Sequence, residues 1–303
     1  MGIRDGIRSG LLTAGLLAIG VGSAAAQAAG AGGLEVLGVR AQGMAGAFVA
    51  VADDASAAYW NPAGLGTGDF VSLALERSHV TLPSSAGPDA ALRTGAVLIG
   101  TPPLGVGYYR LGSTHVVPVT LVQSIGDHLN VGGAVKGVWG QGSDGKTHGR
   151  LDADLGVMVR SAYWRVGLAL RNLTAPSFGP QVVGFGGNRY RLKRHARLGV
   201  AIFPRDGLTL AADADLTSLE AAERSGLPED GRRRAIAVGV QQKVASRFVV
   251  RGGVRAQTID GARPSASGGA SIALTTLLWA DVQATGGGDR ADRSWTVGVR
   301  AAF

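Results

Sequence analysis

The feature that most constrains this chain is an alternation of apolar with polar or small residues, repeated in many separate segments. In the last segment one face carries Trp295, Val297, Val299, Ala301 and Phe303. The opposite face carries Ser294, Thr296, Gly298, Arg300 and Ala302. Successive side chains of a strand point to opposite faces, so this pattern predicts a β-strand with one apolar face. A helix would spread these charges around its cylinder, which excludes helix here.

About fourteen segments of this kind follow one another along the chain. Their predicted spans are 69–78, 93–100, 104–111, 116–125, 128–139, 150–160, 163–172, 195–204, 207–216, 233–243, 246–255, 266–275, 277–285 and 293–303. Very short connections, the shortest being Thr276 alone, alternate with longer polar ones such as His79–Leu92. Gly112–His115 is the one modest exception among the longer set. Tight turns at one end and longer loops at the other are typical of outer-membrane barrels. The sequence therefore predicts an all-β fold, a 14-stranded antiparallel transmembrane β-barrel.

The charges indicate which way each face points. A soluble sandwich buries its apolar faces, whereas a membrane barrel turns them towards lipid and turns its charged face towards a wet lumen. Aromatic residues near the strand ends suit the girdles of such a barrel: Trp139, Tyr163, Trp164, Phe203, Trp279 and Phe303. We expect the bacterial outer membrane as the location and membrane lipid around the wall. Phe303 is expected to act as the terminal signal for the barrel assembly machinery.

The N-terminus is typical of a cleaved export signal. Arg4 and Arg8 precede an apolar run over Leu11–Val21, and small residues then allow cleavage after Ala26 or Ala28. The chain has 0 cysteines, so an exported form would contain no disulfide. The predicted domains are a signal peptide over 1–26, an N-terminal hatch or plug over 27–68 and a barrel over 69–303.

The segment Gly38–Gly66 differs from the barrel in being compact and rich in small residues. Asp53 or Asp54 is placed to cap a short helix over Ala55–Trp60, because a side-chain oxygen can accept from the exposed N–H groups of a first turn. Pro62 would end that helix and hold Asn61 extended. Small residues permit close approach to a lumen wall, so this segment is predicted to be the hatch.

The run from Gly43 to Leu65, GMAGAFVAVADDASAAYWNPAGL, resembles the signature of the FadL/PorV superfamily of outer-membrane barrels. The resemblance implies fourteen strands and an N-terminal hatch. Its hatch motif would comprise Asp53, Asp54, Tyr59, Trp60, Asn61, Pro62, Ala63 and Gly64.

FadL-type members pass fatty acids or other hydrophobic compounds, whereas PorV-type members serve protein secretion. This chain is shorter than typical fatty-acid transporters and has no long apolar stretch in its loops, which favours the PorV-like branch of the resemblance. The function we predict is nevertheless a passive, hatch-gated conduit for hydrophobic or amphipathic small molecules. The alternative is a PorV-like component of a secretion or surface-assembly system that binds exported proteins.

A set of charged residues falls on the polar faces of the predicted strands and is expected to line the lumen. Its members are Arg150, Asp152, Asp154, Arg160, Arg165, Arg171, Asp213, Asp215, Arg247, Arg251, Arg255 and Arg300. They could select an anionic solute or hold a carboxylate. They could instead form a salt-bridge network that fills the lumen and anchors the hatch, which we favour because buried charges are usually paired.

Enzymatic chemistry has little support in the sequence. The five histidines are scattered without the spacing of a zinc site, and no phosphate-binding loop opens a predicted helix. Ser124, Asp127 and His128 lie close in sequence at a predicted turn, where such residues usually serve turn geometry. We therefore expect no enzyme activity, no catalytic residue, no metal and no cofactor. Export also removes nucleic acid as a partner.

Overall fold

The computed structural model describes residues 36–81, 91–141, 146–178, 190–218, 234–259, 264–288 and 293–303. The predicted signal peptide over 1–26 lies outside the described residues. Three short helical elements come first: α1 (Val39–Gly43), α2 (Ala57–Trp60) and a 3₁₀ helix (Pro62–Thr67). Among the described residues, no helix is both long and apolar enough to cross a bilayer.

The remainder of the described chain is almost entirely strand. The strands are β1 (Ser72–Thr81), β2 (Ala91–Thr101), β3 (Leu104–Leu111), β4 (Thr114–Ile125), β5 (Leu129–Gln141), β6 (Thr147–Arg160), β7 (Trp164–Arg171), β8 (Ser177–Phe178), β9 (Tyr190–Arg191), β10 (His195–Arg205), β11 (Leu208–Asp215), β12 (Ala235–Ala245), β13 (Phe248–Gln257), β14 (Ser265–Ala273), β15 (Leu278–Gly287) and β16 (Ser294–Ala302). Strands β8 and β9 form a separate two-stranded ribbon, and the others form one closed antiparallel barrel. The predicted all-β fold and its 14-stranded antiparallel barrel are confirmed.

The barrel closes where its first and last strands meet. Strand β1 pairs with both β2 and β16, and just beyond that ladder Phe303 N donates to Val71 O at 2.9 Å. Closure leaves no unpaired sheet edge, so the backbone groups of the wall are satisfied within the wall. We call the end that holds Ser72 and Phe303 the turn end, since all the short connections except 112–113 lie there, and the opposite end the loop end.

The two faces of the wall differ as the alternation predicts. On β6, Leu151 is 73% exposed and its neighbour Asp152 is 1% exposed. Exposed apolar side chains recur on the outer face of every barrel strand, while polar and small residues face inward. The predicted inside-out pattern is therefore confirmed by burial.

The predicted strand bounds agree with the structure to within a few residues, and the departures have local causes. The first strand begins at Ser72 rather than at 69, because the 3₁₀ helix continues to Thr67. The prediction that Thr276 alone joins two strands is wrong, since the turn occupies 274–277. Thr275 Oγ1 accepts from the N–H groups of Leu277 and Leu278 and so closes that turn. The apolar residues of this turn resemble strand residues, which explains the error.

Candidate functional site

The residues from Val36 to Thr67 lie inside the barrel, and we call them the lumen segment. Nearly all of them are buried, including Phe48 at 0% and Trp60 at 1% exposure. The rings of Phe48 and Trp60 meet edge to face at 6.0 Å, and Tyr59 meets Trp60 at 5.8 Å. These aromatic contacts give the segment an apolar core of its own within a polar lumen.

The Asn61–Pro62–Ala63 element joins the two halves of the lumen segment and connects them to the wall. Asn61 is extended, as predicted, and Pro62 occupies the first turn of the 3₁₀ helix. The Asn61 side chain accepts from Ala63 N at 3.1 Å and donates to Val49 O at 2.9 Å and to Val157 O at 3.3 Å. The buried side-chain amide of Asn61 therefore forms hydrogen bonds with the first turn of the 3₁₀ helix, with a distant part of the lumen segment and with strand β6.

The helix before this element begins later than predicted. Helix α2 begins at Ala57 rather than at Ala55, and no side chain caps it from the N-cap residue Ser56. Asp54 instead accepts from Ser56 N at 2.9 Å and from Ser56 Oγ at 2.5 Å. The carboxylate thus stabilises a turn that extends over the residues predicted to be helical.

Arg40 neutralises the two aspartates of the hatch motif. Its guanidinium donates to Asp53 at 2.6 Å and to Asp54 at 2.8 Å, and it also lies over the Phe48 ring. Burial by itself would raise the pKa of Asp54, but the Arg40 charge and hydrogen bond hold that pKa below its ordinary value. From the wall, Arg165 approaches Asp53 at 3.5 Å.

Two wall carboxylates hold the backbone of the lumen segment. Glu76 on β1 accepts from Gly38 N at 2.7 Å and from Val39 N at 3.0 Å, at the start of α1. Asp213 on β11 accepts from Phe48 N at 3.0 Å and from Val49 N at 2.9 Å. Each carboxylate thereby satisfies two consecutive N–H groups that no ladder could satisfy.

The half of the lumen nearer the loop end contains two groups of buried ion pairs. Lys136 contacts Asp152 at 2.9 Å and Asp154 at 2.7 Å. In the second group His195 and Arg197 both contact Asp215, at 2.8 and 2.7 Å. Beside the first group, the Arg171 guanidinium lies 3.8 Å from the Tyr59 ring centroid, which joins the wall to the lumen segment by a cation–π contact.

Asp281 organises a third group on the opposite side of the barrel. Arg300 contacts it at 3.3 Å and Arg251 at 3.7 Å. The other predicted lumen charges are less central: Arg160 and Arg255 are half-buried on their strands, Arg150 is exposed on β6, and Arg247 lies in the exposed turn before β13. Five further charged residues of the lumen were not among the predicted ones: Arg40, Glu76, Lys136, Arg197 and Asp281. The wall members of that set were recognisable as charges at inward positions of a strand.

Ten barrel strands each place a glycine against the lumen segment, and we call this set the glycine belt. Its members are Gly100, Gly105, Gly132, Gly156, Gly167, Gly199, Gly239, Gly253, Gly269 and Gly298. Several of them are direct cross-strand partners, such as Gly132 with Gly156 and Gly239 with Gly253. The belt therefore runs as a nearly continuous band around the lumen.

The glycine belt lies directly against the lumen segment. A Cβ on Gly253 would lie 2.6 Å from Met44 O, and a Cβ on Gly167 would lie 2.6 Å from Val49 O. A Cβ on Gly132 would meet the backbone of Pro62 and Ala63. Contacts this short do not occur between real atoms, so an alanine at these positions is incompatible with the observed position of the segment.

Two small cavities lie beside the lumen segment. The first lies towards the loop end, where Tyr59, Tyr109 and Leu192 give it apolar walls and Lys136 a polar edge. The second lies between α1 and the β1–β16 pair, beside Glu76. Each has room for about one water molecule. Among the described residues, no group of three or more histidine or carboxylate side chains is arranged to hold a metal ion.

Solved structures share this architecture. The CymD monoaromatic hydrocarbon channel matches with a TM-score of 0.65 and 13% identity, over 89% of this chain and 98% of that chain. The toluene transporter TbuX of Ralstonia pickettii matches at 0.63 and 14%, over 89% and 99%. A FadL homologue of Pseudomonas aeruginosa matches at 0.62 and 14%, over 89% and 99%. The chain has the FadL-type fold.

The resemblance to the FadL/PorV superfamily is thus confirmed at the level of fold, while the PorV-like branch stays a prediction. Residues 120–215 match the family described as "F plasmid transfer operon, TraF, protein". No curated protein matches the chain.

Proposed function

We propose that this protein is an outer-membrane channel for small hydrophobic or amphipathic molecules and that the lumen segment is its hatch. The FadL-type barrel, shared with a hydrocarbon channel and a toluene transporter, supports the channel. The observation that carries the proposal is the lumen segment itself, because it occupies the path that a solute would take. The channel is passive, and its chemistry is binding and release.

The contacts that hold the lumen segment suit a removable hatch. They are side-chain hydrogen bonds, ion pairs and close packing on glycine, and the ladder of the barrel does not depend on them. A hydrogen bond to a charged group contributes about 1.5–3 kcal/mol, so a few such bonds keep the segment in place most of the time. The two cavities each hold about one water molecule, so a solute that passes through either of them must displace the segment.

The cavity at the loop end is the proposed first binding position for the solute. Tyr59 belongs to the lumen segment, whereas Tyr109 and Leu192 belong to the barrel and its loop region. An apolar molecule that enlarged this cavity would therefore push against the hatch. Lys136 at its edge would tolerate a polar group on an amphipathic molecule.

A reversible disulfide tests whether the lumen segment gates the channel. The chain has 0 cysteines, and a Cβ on Gly298 would lie 2.9 Å from Val39 Cγ2, close to the separation of a Cβ from the far sulfur of a disulfide. In liposomes the double variant Val39→Cys/Gly298→Cys is expected to exclude toluene and small dyes when oxidised and to admit them when reduced. Each single variant is the control. Gly298→Cys alone also measures what the added Cβ does without the disulfide, because that Cβ would lie 2.9 Å from Leu75 O.

Equal permeability of the oxidised and reduced double variant would contradict gating by this segment. If both forms exclude solutes of every size tested, the channel itself is contradicted, and the alternative function gains support. Deleting Gly38–Gly66 gives an independent check, because removal of the hatch should raise leakage.

A PorV-like role in protein secretion or surface assembly is the second candidate. The tightly filled lumen favours it, because a protein-binding scaffold has no need of an open path. Crosslinking from the loop-end connections in cells is expected to capture exported proteins if this role is correct, and no capture beside a working crosslinking control would count against it.

A further inference from the structure

The outer face of the barrel carries a basic cluster on four neighbouring strands. We call it the outer-wall cluster, and its members are Arg77 and His79 on β1, Arg93 on β2, Arg110 on β3 and His115 on β4. Their positions alternate with buried residues, so all five side chains point away from the lumen. All of them lie in the half of the barrel nearer the loop end.

This cluster is local rather than a general property of the wall. In the described barrel strands, the other outward-facing charge is Arg205 at the turn end, where it donates to Gln242 at 3.0 Å. No carboxylate faces outward on these strands, since the strand aspartates and Glu76 all point inward. An arginine facing lipid is unfavourable by up to about 2–4 kcal/mol at mid-bilayer depth. Three neighbouring arginines on the outer face would therefore be stabilised by a bound anion.

Three of the arginines surround an open position on the wall. Gly95 on β2 pairs with Arg77 on one side and with Arg110 on the other, and Arg93 lies two residues along on the same face. Neighbouring strands are about 4.8 Å apart, so each flanking arginine begins one strand away from Gly95. A Cβ on Gly95 would contact only Glu76 O, at 3.6 Å, which leaves the outer side of this glycine free.

Within the described residues, no carboxylate pairs with Arg77, Arg93 or Arg110. Their guanidinium groups are therefore free to bind an external anion. Arginine suits phosphate in particular, because its planar group donates two parallel hydrogen bonds to two phosphate oxygens.

Aromatic side chains border the cluster and indicate its depth. Trp295 stacks on His79 at 5.7 Å, and Tyr108 shares a 2.7 Å hydrogen bond with His115. Trp139 pairs across the sheet with His115 and is 41% exposed. Tyrosine and tryptophan concentrate where headgroups meet hydrocarbon, so the cluster lies at the level of lipid headgroups.

We propose that the outer-wall cluster binds the phosphate group of a membrane lipid, with Arg77, Arg93 and Arg110 around the phosphate above Gly95. The lipid's acyl chains then lie along the apolar residues further down the same strands. This inference rests on the membrane placement in the proposed function and is independent of transport through the lumen.

A pair of lipids that differ only in phosphate tests the proposal. Full-length protein in detergent is titrated with phosphatidic acid and with the diacylglycerol of the same acyl chains, and bound lipid is counted by native mass spectrometry. We expect phosphatidic acid to bind at least about tenfold more tightly, because several charge-assisted hydrogen bonds are lost without the phosphate.

Two variants locate the site and one serves as the matched control. Arg77→Gln/Arg110→Gln is expected to lower the affinity for phosphatidic acid at least about tenfold. Gly95→Leu keeps every charge but fills the open position, and it is expected to weaken binding as well. Arg205→Gln removes an outward arginine at the opposite end and is expected to bind like the unchanged protein. Heat-modifiable electrophoretic mobility verifies that each variant is folded.

Several results would overturn the proposal. They are equal affinity for the two lipids, an equal loss in Arg205→Gln, unchanged binding in Gly95→Leu, or preference for acidic polyglutamate over phosphatidic acid. Failure of the unchanged protein to insert into phosphatidylcholine vesicles would instead contradict the membrane placement, and with it the proposed function. Insertion without selective binding would contradict this inference alone.

Discussion

At the scale of single residues, close packing between the barrel wall and the lumen segment depends on glycines, which have no side chain. Gly252 and Gly253 are adjacent on β13 but face opposite sides of the wall. A Cβ on Gly253 would lie 2.6 Å from Met44 O, whereas the nearest atoms to a Cβ on Gly252 are 3.9 Å away. The same residue type therefore has two different roles at neighbouring positions.

Gly253→Ala is predicted to displace the lumen segment while the barrel stays folded. The added methyl group overlaps the Met44 backbone, and overpacking of this kind destabilises by about 1–3 kcal/mol. Hydrogen exchange of residues 39–46 should become faster, and leakage through the barrel in liposomes should rise. Gly252→Ala is the matched control, and an equal response in both variants would contradict the role of the belt.

Asn61 shows how much one residue of the hatch motif determines. The sequence predicts that Asn61 is extended before Pro62, which is confirmed, because the proline ring restricts the residue before it. The bonds of its side chain to Val49 and Val157 were not predictable, since they depend on parts of the chain 12 and 96 residues away.

At the scale of elements, the lumen segment is held at separate points by different strands. Glu76 binds the start of α1, and Asp213 binds the residues around Phe48. Asp213 was predicted among the inward charges, whereas Glu76 was missed even though it occupies an inward position of β1. A period of two is sufficient to place each carboxylate on the inward face of its strand. The N–H groups that it binds depend on the path of the lumen segment, which the period does not contain.

Glu76→Gln and Asp213→Asn are predicted to loosen different parts of the lumen segment. Removing either charge weakens two hydrogen bonds, which should lower the local opening free energy by about 1–3 kcal/mol. Hydrogen exchange should then be faster at Gly38 and Val39 in the first variant and at Phe48 and Val49 in the second. Each variant is the control for the other. Uniform loosening in both would show that the segment opens as one unit.

At the scale of the whole molecule, the barrel is one closed sheet. Phe303 donates its N–H to Val71 O at 2.9 Å, so this residue contributes to closure. Phe303 is 59% exposed on the outer side of the barrel and does not pack in the interior. Its side chain therefore contributes little to the packing of the closed barrel.

Phe303→Ala is predicted to slow assembly more than it destabilises the finished barrel. The backbone pairing with Val71 is retained, so unfolding of the purified variant should shift by less than about 0.5 kcal/mol, as is usual for exposed positions. The amount of heat-modifiable barrel in membranes should fall. Tyr163→Ala, which removes another exposed aromatic side chain, is the control, and an equal fall in both variants would contradict a terminal signal.

The sequence by itself determined the number of barrel strands, their approximate bounds and the face on which most of the strand charges lie, but not the ribbon of β8 and β9. These properties follow from a period of two, which is local and is legible in segments such as Trp295–Phe303. The same logic failed at residues 274–277, where apolar turn residues imitate a strand. The inward glycines of the glycine belt could also be recognised from the period of two. Their role in packing against the lumen segment could not.

Only the tertiary structure decided which charges pair and where the lumen segment lies. Arg251 and Arg300 share Asp281, and Arg40 contacts Asp53 and Asp54 within the lumen. A period of two determines the side of the wall on which a residue lies. It contains no information about the position of the residue along the barrel axis or about which strand faces it across the lumen. Those are set by the register of the closed barrel and by the packing of the segment against glycine, which are long-range properties of the whole chain.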